Sequence, residues 1–595
     1  MHLAEIAPDA TAKTNPLRIR PQSRTRTPVG TPEADAPVQW HRVLTLLATV
    51  SLFIGTRSLW TQAASHQLVI AAVVSLCYLS IMVTGALALT VRRPRTLARL
   101  DLCVLITAVT LTVCTLALNH AGGDEGVLTT QAARELAAGH PVYGQPWPWL
   151  FQHNSGVTLT PTMNGGYDFT YGYPPLVPLL TAPLLWLGHG ALAATVVTTG
   201  ALLVAAVTLW LLLPVPWRSA ATMVCLGFGF LPSYARLGYP AIVGLALLVP
   251  VVVRWPRIGA GGRLGRGGLA RAACLGAACA AQQLPWFLVP FLLAGIYAVR
   301  RGELGARPAA WVVLRITGAA ATVWLLINTY FIVSEPRTWA TGVALPLTQD
   351  ATIHGQGLVG VALYFTDGSD RLAWYSHASM LLTGALLALL VVFVRRLGPA
   401  TVVLPWCAFF LATRSQDGYY LMMTPLWLAA AVTTPAASFA RAWQPRPRFL
   451  AGPRRRPALV ATGALLLVPA LVCTAVAATG SPPLRLRVTR TLTSGPAGVS
   501  ELSVRVTNGD DSALTPHFTL TTGQGMTRWW TVVQGPATLP AHTSALYRIQ
   551  PPERVFPVPE RPDTRIRLRV FTASPDTLSS VDLRLPGGSA VKRVP

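Results

Sequence analysis

Within the apolar run at about 67–91, Leu68-Val-Ile-Ala-Ala-Val-Val-Ser-Leu-Cys-Tyr-Leu-Ser-Ile-Met-Val-Thr-Gly-Ala-Leu-Ala-Leu-Thr90, followed at once by Val91-Arg92-Arg93-Pro94-Arg95, sets the fold class. The run carries no charge, and at 1.5 Å per residue it makes a helix of about 34 Å, enough to cross a hydrocarbon core. The basic cluster behind it marks a cytoplasmic loop. Working outward, similar runs read as spans at about 43–60, 100–119, 190–213, 219–232, 238–253, 309–333, 373–394, 399–413, 421–439 and 458–478. Over the whole chain of 595 residues, 52% are hydrophobic and 12% charged, with mean hydropathy +0.46. These values exclude a soluble enzyme, a secreted disulfide scaffold and a disordered chain.

The net charge of +25 is assigned to topology rather than to nucleic-acid binding, because most of the excess lies in short loops between apolar runs. Lys occurs only at Lys13 and Lys592, an Arg bias typical of a GC-rich bacterial coding sequence. The eight cysteines all fall in apolar runs without a C-x-x-C pair and read as small core residues. Residues 1–42, rich in Pro, Thr and Arg, read as a disordered cytoplasmic tail. Residues 272–299 lie between two basic loops and so form a hairpin turning near Gln283-Leu284-Pro285. The segment 174–188 is too short to cross and reads as a half-span on the outer face. The expected membrane domain, 43–479, then has about thirteen crossings, with the N-terminus cytoplasmic and the C-terminus outside. Residues 480–595 show alternating runs such as Leu502–Val506 and Arg565–Val570 between turn signals and predict an extracytoplasmic β-sandwich.

No carboxylate is expected mid-span; Asp101 and Glu303 fall on the cytoplasmic side and the other acids of the membrane part on the outer face. The first large outer loop, 120–173, is the richest segment. It opens Gly122-Gly-Asp124-Glu125-Gly126, continues Arg134-Glu-Leu-Ala-Ala-Gly139-His-Pro-Val-Tyr143, and closes Tyr167-Asp168-Phe-Thr-Tyr171-Gly-Tyr173-Pro174-Pro175. A carboxylate just beyond a membrane helix is placed to take a proton from a hydroxyl beside a lipid-borne group. The same acids also suit a helix cap. Aromatic residues Tyr143, Trp147, Trp149, Tyr167, Tyr171 and Tyr173 suit sugar stacking and equally suit an interfacial belt.

The order of span, Asp-Glu-Gly, Arg-x-Leu-x-x-Gly-x-Pro-x-Tyr and Tyr-x-Tyr-Pro-Pro-Leu resembles the first outer loop of GT-C-type glycosyltransferases, the polytopic enzymes that use polyprenyl-phosphate sugars, including bacterial mannosyl- and arabinosyltransferases. Ala280-Ala-Gln-Gln283-Leu-Pro-Trp-Phe287 and Arg414-Ser-Gln-Asp-Gly-Tyr419-Tyr420 are weaker similarities, and the likeness spans roughly 100–440. Two spans precede the family's usual first one, and Gln283 stands where Lys is often found. The resemblance implies an inverting, metal-independent or weakly metal-assisted transfer on the outer face of the bacterial cell membrane. Asp124 matches the catalytic base, with Glu125 next in line. Arg414 and Arg236 are favoured for the leaving phosphate, His354 and His377 after them. Asp168, Tyr171, Tyr173, Gln283 and Tyr419 complete the expected substrate-binding set. No cofactor is expected, a divalent cation being left open. The implied partners are a polyprenyl-phosphate sugar donor, an envelope acceptor and the lipid bilayer, with no nucleic acid. A lipid-linked sugar flippase or transporter and a non-enzymatic envelope assembly protein are the competing classes.

Overall fold

The computed structural model describes residues 38–118, 122–153, 157, 159–188, 190, 193–445, 455–494, 498–557 and 564–583. The chain is mainly helical up to Ala478 and β-rich from Leu484 onward. Among the described residues eight helices are long and apolar enough to cross a membrane: Val38–Thr56, Leu68–Thr90, Pro94–Leu118, Ala193–Leu212, Leu284–Leu304, Ala306–Ser334, Ala373–Val392 and Pro457–Ala478. The expected tail lies outside the described residues as far as position 37; residues 38–42 already form the start of the first helix. Leu68–Thr90 is apolar all round and leaves Leu76, Leu79 and Met82 exposed, as a helix facing lipid would. All eight cysteines are free, and Cys103 and Cys407 are exposed rather than in the core.

Several expected spans are broken, and glycine or proline marks each break. The run 219–232 divides into Arg218–Leu226 and Phe230–Arg236 around Gly227-Phe228-Gly229, where Phe228 and Gly229 have φ of 54° and 79°. This break sits on the first helix: the Phe228 N–H donates to the Ser51 carbonyl at 3.0 Å. A Cβ on Gly55 would lie 2.5 Å from the backbone nitrogen of Gly229, so glycine permits the approach. The run 399–413 splits into short turns, one opened by Pro405, while 421–439 shortens to the ten-residue helix Thr424–Thr433 with Pro425 in its first turn. The hairpin at 272–299 is longer than expected, with arms Gly265–Ala281 and Leu284–Leu304. It turns at Gln282-Gln283, and Pro285 occupies the first turn of the second arm, where a missing N–H breaks no helix bond. The half-span is the 11-residue helix Leu176–Trp186.

Asp101 sits two turns into the helix Pro94–Leu118 and is buried, with 0% of its surface exposed. Its Oδ2 is 2.7 Å from His41 Nε2, and its Oδ1 accepts from Thr45 Oγ1 at 3.0 Å and from Ser219 Oγ. One carboxylate thus ties together the helices Val38–Thr56, Pro94–Leu118 and Arg218–Leu226.

In the C-terminal region one five-stranded sheet runs Phe556–Pro557, Gly498–Asn508, Ser544–Gln550, Thr531–Gln534, with Leu484–Thr493 also paired to Gly498–Asn508. The other runs Gly368–Ser369, Asp576–Asp582, Ile566–Ala573, His517–Thr522, Gly525–Met526. Val504 and Tyr547 of the first share a hydrophobic cluster with Phe518, Leu568 and Val570 of the second. Gly368–Ser369 belongs in sequence to the helical part, so a segment between membrane helices completes the second sheet. The alternating strand Ile566–Ala573 is buried on both faces. Its arginines turn to the helical part: Arg567 donates to the Leu363 and Thr366 carbonyls at 3.0 and 2.9 Å, and Arg569 to the Leu363 carbonyl at 2.8 Å.

Removing the Asp101 carboxylate would leave His41, Thr45 and Ser219 buried without their shared acceptor. Asp101→Ala is expected to cost about 3–5 kcal/mol. The check is the thermal midpoint of the detergent-solubilised protein, which should fall well below that of wild type, with Asp101→Asn intermediate.

Candidate active site

The first outer loop folds around a backbone contact. Gly123 caps the helix Asp124–Ala137, and its N–H donates to the Leu237 carbonyl at 2.8 Å. One turn on, a Cβ at Gly126 would stand 2.5 Å from that same carbonyl oxygen. The opposing Gly238 has φ of 86° and leaves no room for a side chain either. The glycines around Asp124 and Glu125 therefore allow this helix start to lie flush against residues 237–238, and the acids project from its first turn.

Asp124 Oδ1 accepts the Glu125 N–H at 2.9 Å, and Oδ2 accepts Thr160 Oγ1 at 3.1 Å. Thr160 arrives on a turn closed by Asp168 N–H to the Thr160 carbonyl and by Thr162 N–H to the Gly166 carbonyl, each at 3.0 Å. The Thr352 N–H donates to the Pro161 carbonyl at 2.9 Å, which joins this turn to the segment leading into His354. His354 and Gly355 pair in parallel with Arg414 and Ser415. Three remote segments thus converge on one cavity of about 630 Å³. Asp124, Glu125, Thr160, Tyr239, His354 and Arg414 form its helical side, and segments 524–530 and 551–557 of the C-terminal region form the other.

The electrostatics of the cavity separate the two acids. Burial pushes the Asp124 carboxyl up, opposed by the Glu125 N–H, the Thr160 hydroxyl and the Arg414 guanidinium. Burial, then the neighbouring Asp124 charge, pushes Glu125 up to about 8, opposed by a hydrogen bond from Tyr173 and by Arg414. The donors aimed at Asp124 and its place at a helix start favour its ionised form. Glu125 is then the member that holds a proton at neutral pH, and such separation of adjacent acids is how acid and base roles are divided. Burial and the charges of Arg414 and Arg569 hold His354 below the usual imidazole range, so it is neutral at pH 7. Arg414 is the cavity's partly buried cation beside the acids, and its Nε is buried without a hydrogen-bond partner. Among the described residues no three His, Cys, Asp or Glu side chains gather as a metal-holding group.

Of the expected site residues, Asp124, Glu125, His354 and Arg414 line the cavity. Tyr173 hydrogen-bonds Glu125, and partly buried Tyr419 lies within electrostatic reach of Arg414 and both acids. Four others serve different ends. Asp168 accepts the Thr170 N–H and hydroxyl at 3.0 and 2.8 Å and so caps its own turn. Tyr171 is fully buried and donates to the Pro174 carbonyl at 3.1 Å. Gln283 Nε2 donates to the Gly172 and Val343 carbonyls at 2.9 and 2.7 Å, tying the loop to the hairpin turn. Arg236 lines a separate cavity. The aromatic residues of the loop are largely its core: Tyr143, Trp147 and Tyr171 pack with Phe331.

The residues that sequence reading missed are Thr160, Tyr239, Thr352 and, above all, Arg528, Trp530 and Glu553 from the C-terminal region. Trp529, in contrast, is a clamp, its indole N–H donating to the Gly166 carbonyl at 2.9 Å and its backbone N–H to the Tyr167 hydroxyl at 2.8 Å. The chain matches no protein-family model, no curated protein and no solved structure.

A carboxyl with a raised folded-state pKa binds its proton more tightly folded than unfolded. Its contribution to stability is complete below the ordinary Glu value and lost as pH rises through about 8. The melting temperature of wild type relative to Glu125→Gln should therefore fall between pH 5 and pH 9. Parallel curves for the two proteins would contradict the assignment.

Proposed function

We propose that this chain is an integral membrane glycosyltransferase of GT-C type that moves a sugar from a polyprenyl-phosphate donor to an envelope acceptor on the outer face of a bacterial membrane. The observation that carries the reading is the shared cavity: two adjacent carboxyl groups, Asp124 held by fixed hydrogen bonds and Glu125 beside it, and an arginine with a buried unpartnered Nε on the same wall. In this mechanism Asp124 takes the proton of the acceptor hydroxyl as that oxygen attacks the anomeric carbon. The bond from the anomeric carbon to the phosphate oxygen breaks, the configuration inverts, and the electron pair leaves with the polyprenyl phosphate. Arg414 meets the charge developing on that phosphate. Neutral His354 is placed to supply a further hydrogen bond.

The membrane reading underlies the choice of donor. With the basic loops inside, the helix Pro94–Leu118 delivers Asp124 to the outer face, where nucleotide sugars are not expected and a lipid-linked sugar fits. The shorter apolar helix Ala241–Val252, together with the broken segments and the first arm of the hairpin, supports a count above eight. The two sheets of the C-terminal region, sharing one core, support an extracytoplasmic β-sandwich.

One observation favours the transporter reading: the buried His41–Asp101 pair is an ionisable group inside membrane-length helices. Each Asp101 oxygen is already engaged by a neighbouring side chain, which suits a structural tie better than a relay. The two readings part on Asp124.

In vitro transfer from radiolabelled polyprenyl-phosphate sugars to envelope acceptors should be lost in Asp124→Asn by at least about 100-fold, with monodispersity and melting temperature retained. Arg414→Gln should lower kcat more than it raises KM, because its charge acts chiefly on the departing phosphate. Wild-type levels of transfer by Asp124→Asn would remove Asp124 as the base. Sugar-lipid translocation without transfer, unaffected by Asp124→Asn, would favour the transporter.

A further inference from the structure

A second cavity, of about 430 Å³, lies between the first helices and the break at residues 227–229. Its walls come from residues 55–62, from the far end of the helix Pro94–Leu118, and from the helix Phe230–Arg236. Its polar groups include Gln62, the hydroxyls of Ser58, Ser233 and Tyr234 and the guanidinium of Arg236. Among the described residues no carboxylate lines it and no hydrogen bond or ion pair reaches Arg236, whose Nε is buried. The cavity borders apolar surface: Trp60, Phe228 and Phe230 are about half exposed, at 46%, 43% and 54%.

We infer that this cavity holds the phosphate headgroup of a membrane amphiphile, with Arg236 as its counter-charge. A partly buried cation with no partner is costly unless an anion completes it. The Thr56 and Thr112 hydroxyls donate to the Leu52 and Ala108 carbonyls and Tyr234 to Asp417, which leaves the Ser58 and Ser233 hydroxyls to join Arg236 as donors to phosphate oxygens, and the flanking Trp and Phe side chains offer an apolar surface to acyl or prenyl chains. The site is distinct from the one holding Asp124. Tyr234 and Tyr239 stand between the two, in T-shaped contact at 5.3 Å, with Tyr234 lining the second cavity and Tyr239 the first. The inference rests on the membrane reading of the helices and is independent of the transferase reading.

Native mass spectrometry of the purified full-length protein, delipidated in neutral detergent, tests it with three probes: dioctanoyl phosphatidic acid, dioctanoylglycerol and inorganic phosphate. Wild type should retain phosphatidic acid and neither of the other two. Arg236→Gln should weaken that retention by about tenfold or more, Arg236→Lys should restore part of it, and Arg414→Gln should leave the Arg236-dependent component intact. Equal retention of dioctanoylglycerol, or undiminished binding by Arg236→Gln, would overturn the site. Inorganic phosphate binding as tightly as the lipid would show a free-anion site and overturn the amphiphile. Should Arg236→Gln not purify as a monodisperse protein, Ser233→Trp fills the cavity without removing the charge. Retention at wild-type level in that variant would equally sink the proposal.

Discussion

The candidate site depends on an approach of two backbones that only glycine permits. Gly126 and Gly238 meet with no side chain between them, and the Gly123 N–H closes on the Leu237 carbonyl. That contact fixes the start of the helix Asp124–Ala137 against the end of the helix Phe230–Arg236. With the helix start held there, Asp124 and Glu125 project together from its first turn, and Thr160 and Tyr173 can reach them. A bulkier residue at position 126 would lift the turn and change both hydrogen bonds at once. The Asp-Glu-Gly order therefore carries a physical rule: two acids, then a residue small enough to seat them.

The C-terminal region is a wall of this cavity and not a tethered accessory. Arg567 and Arg569, each 3% exposed, carry guanidinium groups into the carbonyl end of the turn at 361–365. Gly368–Ser369 adds a strand to the same sheet, and Trp529 locks the first loop from the opposite direction. Buried arginines satisfied by carbonyls hold their place, because breaking the contact strands a desolvated charge. An acceptor approaching Asp124 from the β-rich side would consequently pass residues 524–530 and 551–557, so the enzyme reading makes that region a determinant of which acceptor fits.

Much of this was legible in the sequence where one stretch of chain carries the whole signal. Runs near 20 apolar residues announced the membrane helices, and Pro285 announced the hairpin break. The Gly-Gly-Asp-Glu-Gly segment announced the acids. What escaped was convergence. Nothing local in Thr160, Tyr239, Arg528 or Trp530 says that they share a cavity with Asp124, since their meeting depends on packing among segments that lie from 36 to more than 400 residues away in sequence. The direction of a side chain escaped as well. Gln283 and Tyr171 sit within suggestive motifs, yet both turn inward to satisfy carbonyls of the loop. Asp168 caps a turn with Thr170 two residues on, a pattern that spacing alone supports as well as it supports ligand binding.

The two arginines first grouped as phosphate binders illustrate how far charge alone can be read. Arg414 and Arg236 are both partly buried, and each has a buried Nε without a partner, so each calls for an anion. Arg414 has the Asp124 carboxyl on its own cavity wall as a partial counter-charge, which under the proposed transfer suits a charge that appears only as a bond breaks. Arg236 has no acid in its cavity and suits an anion that is resident. The Tyr234 hydroxyl reaches Asp417 at 3.2 Å, one residue beyond the Gln416 that lines the first cavity. The Tyr234–Tyr239 pair, in T-shaped contact at 5.3 Å, thus stands between the two arginine-bearing cavities, and the proposed readings assign the first a charge that develops in transfer and the second a resident one.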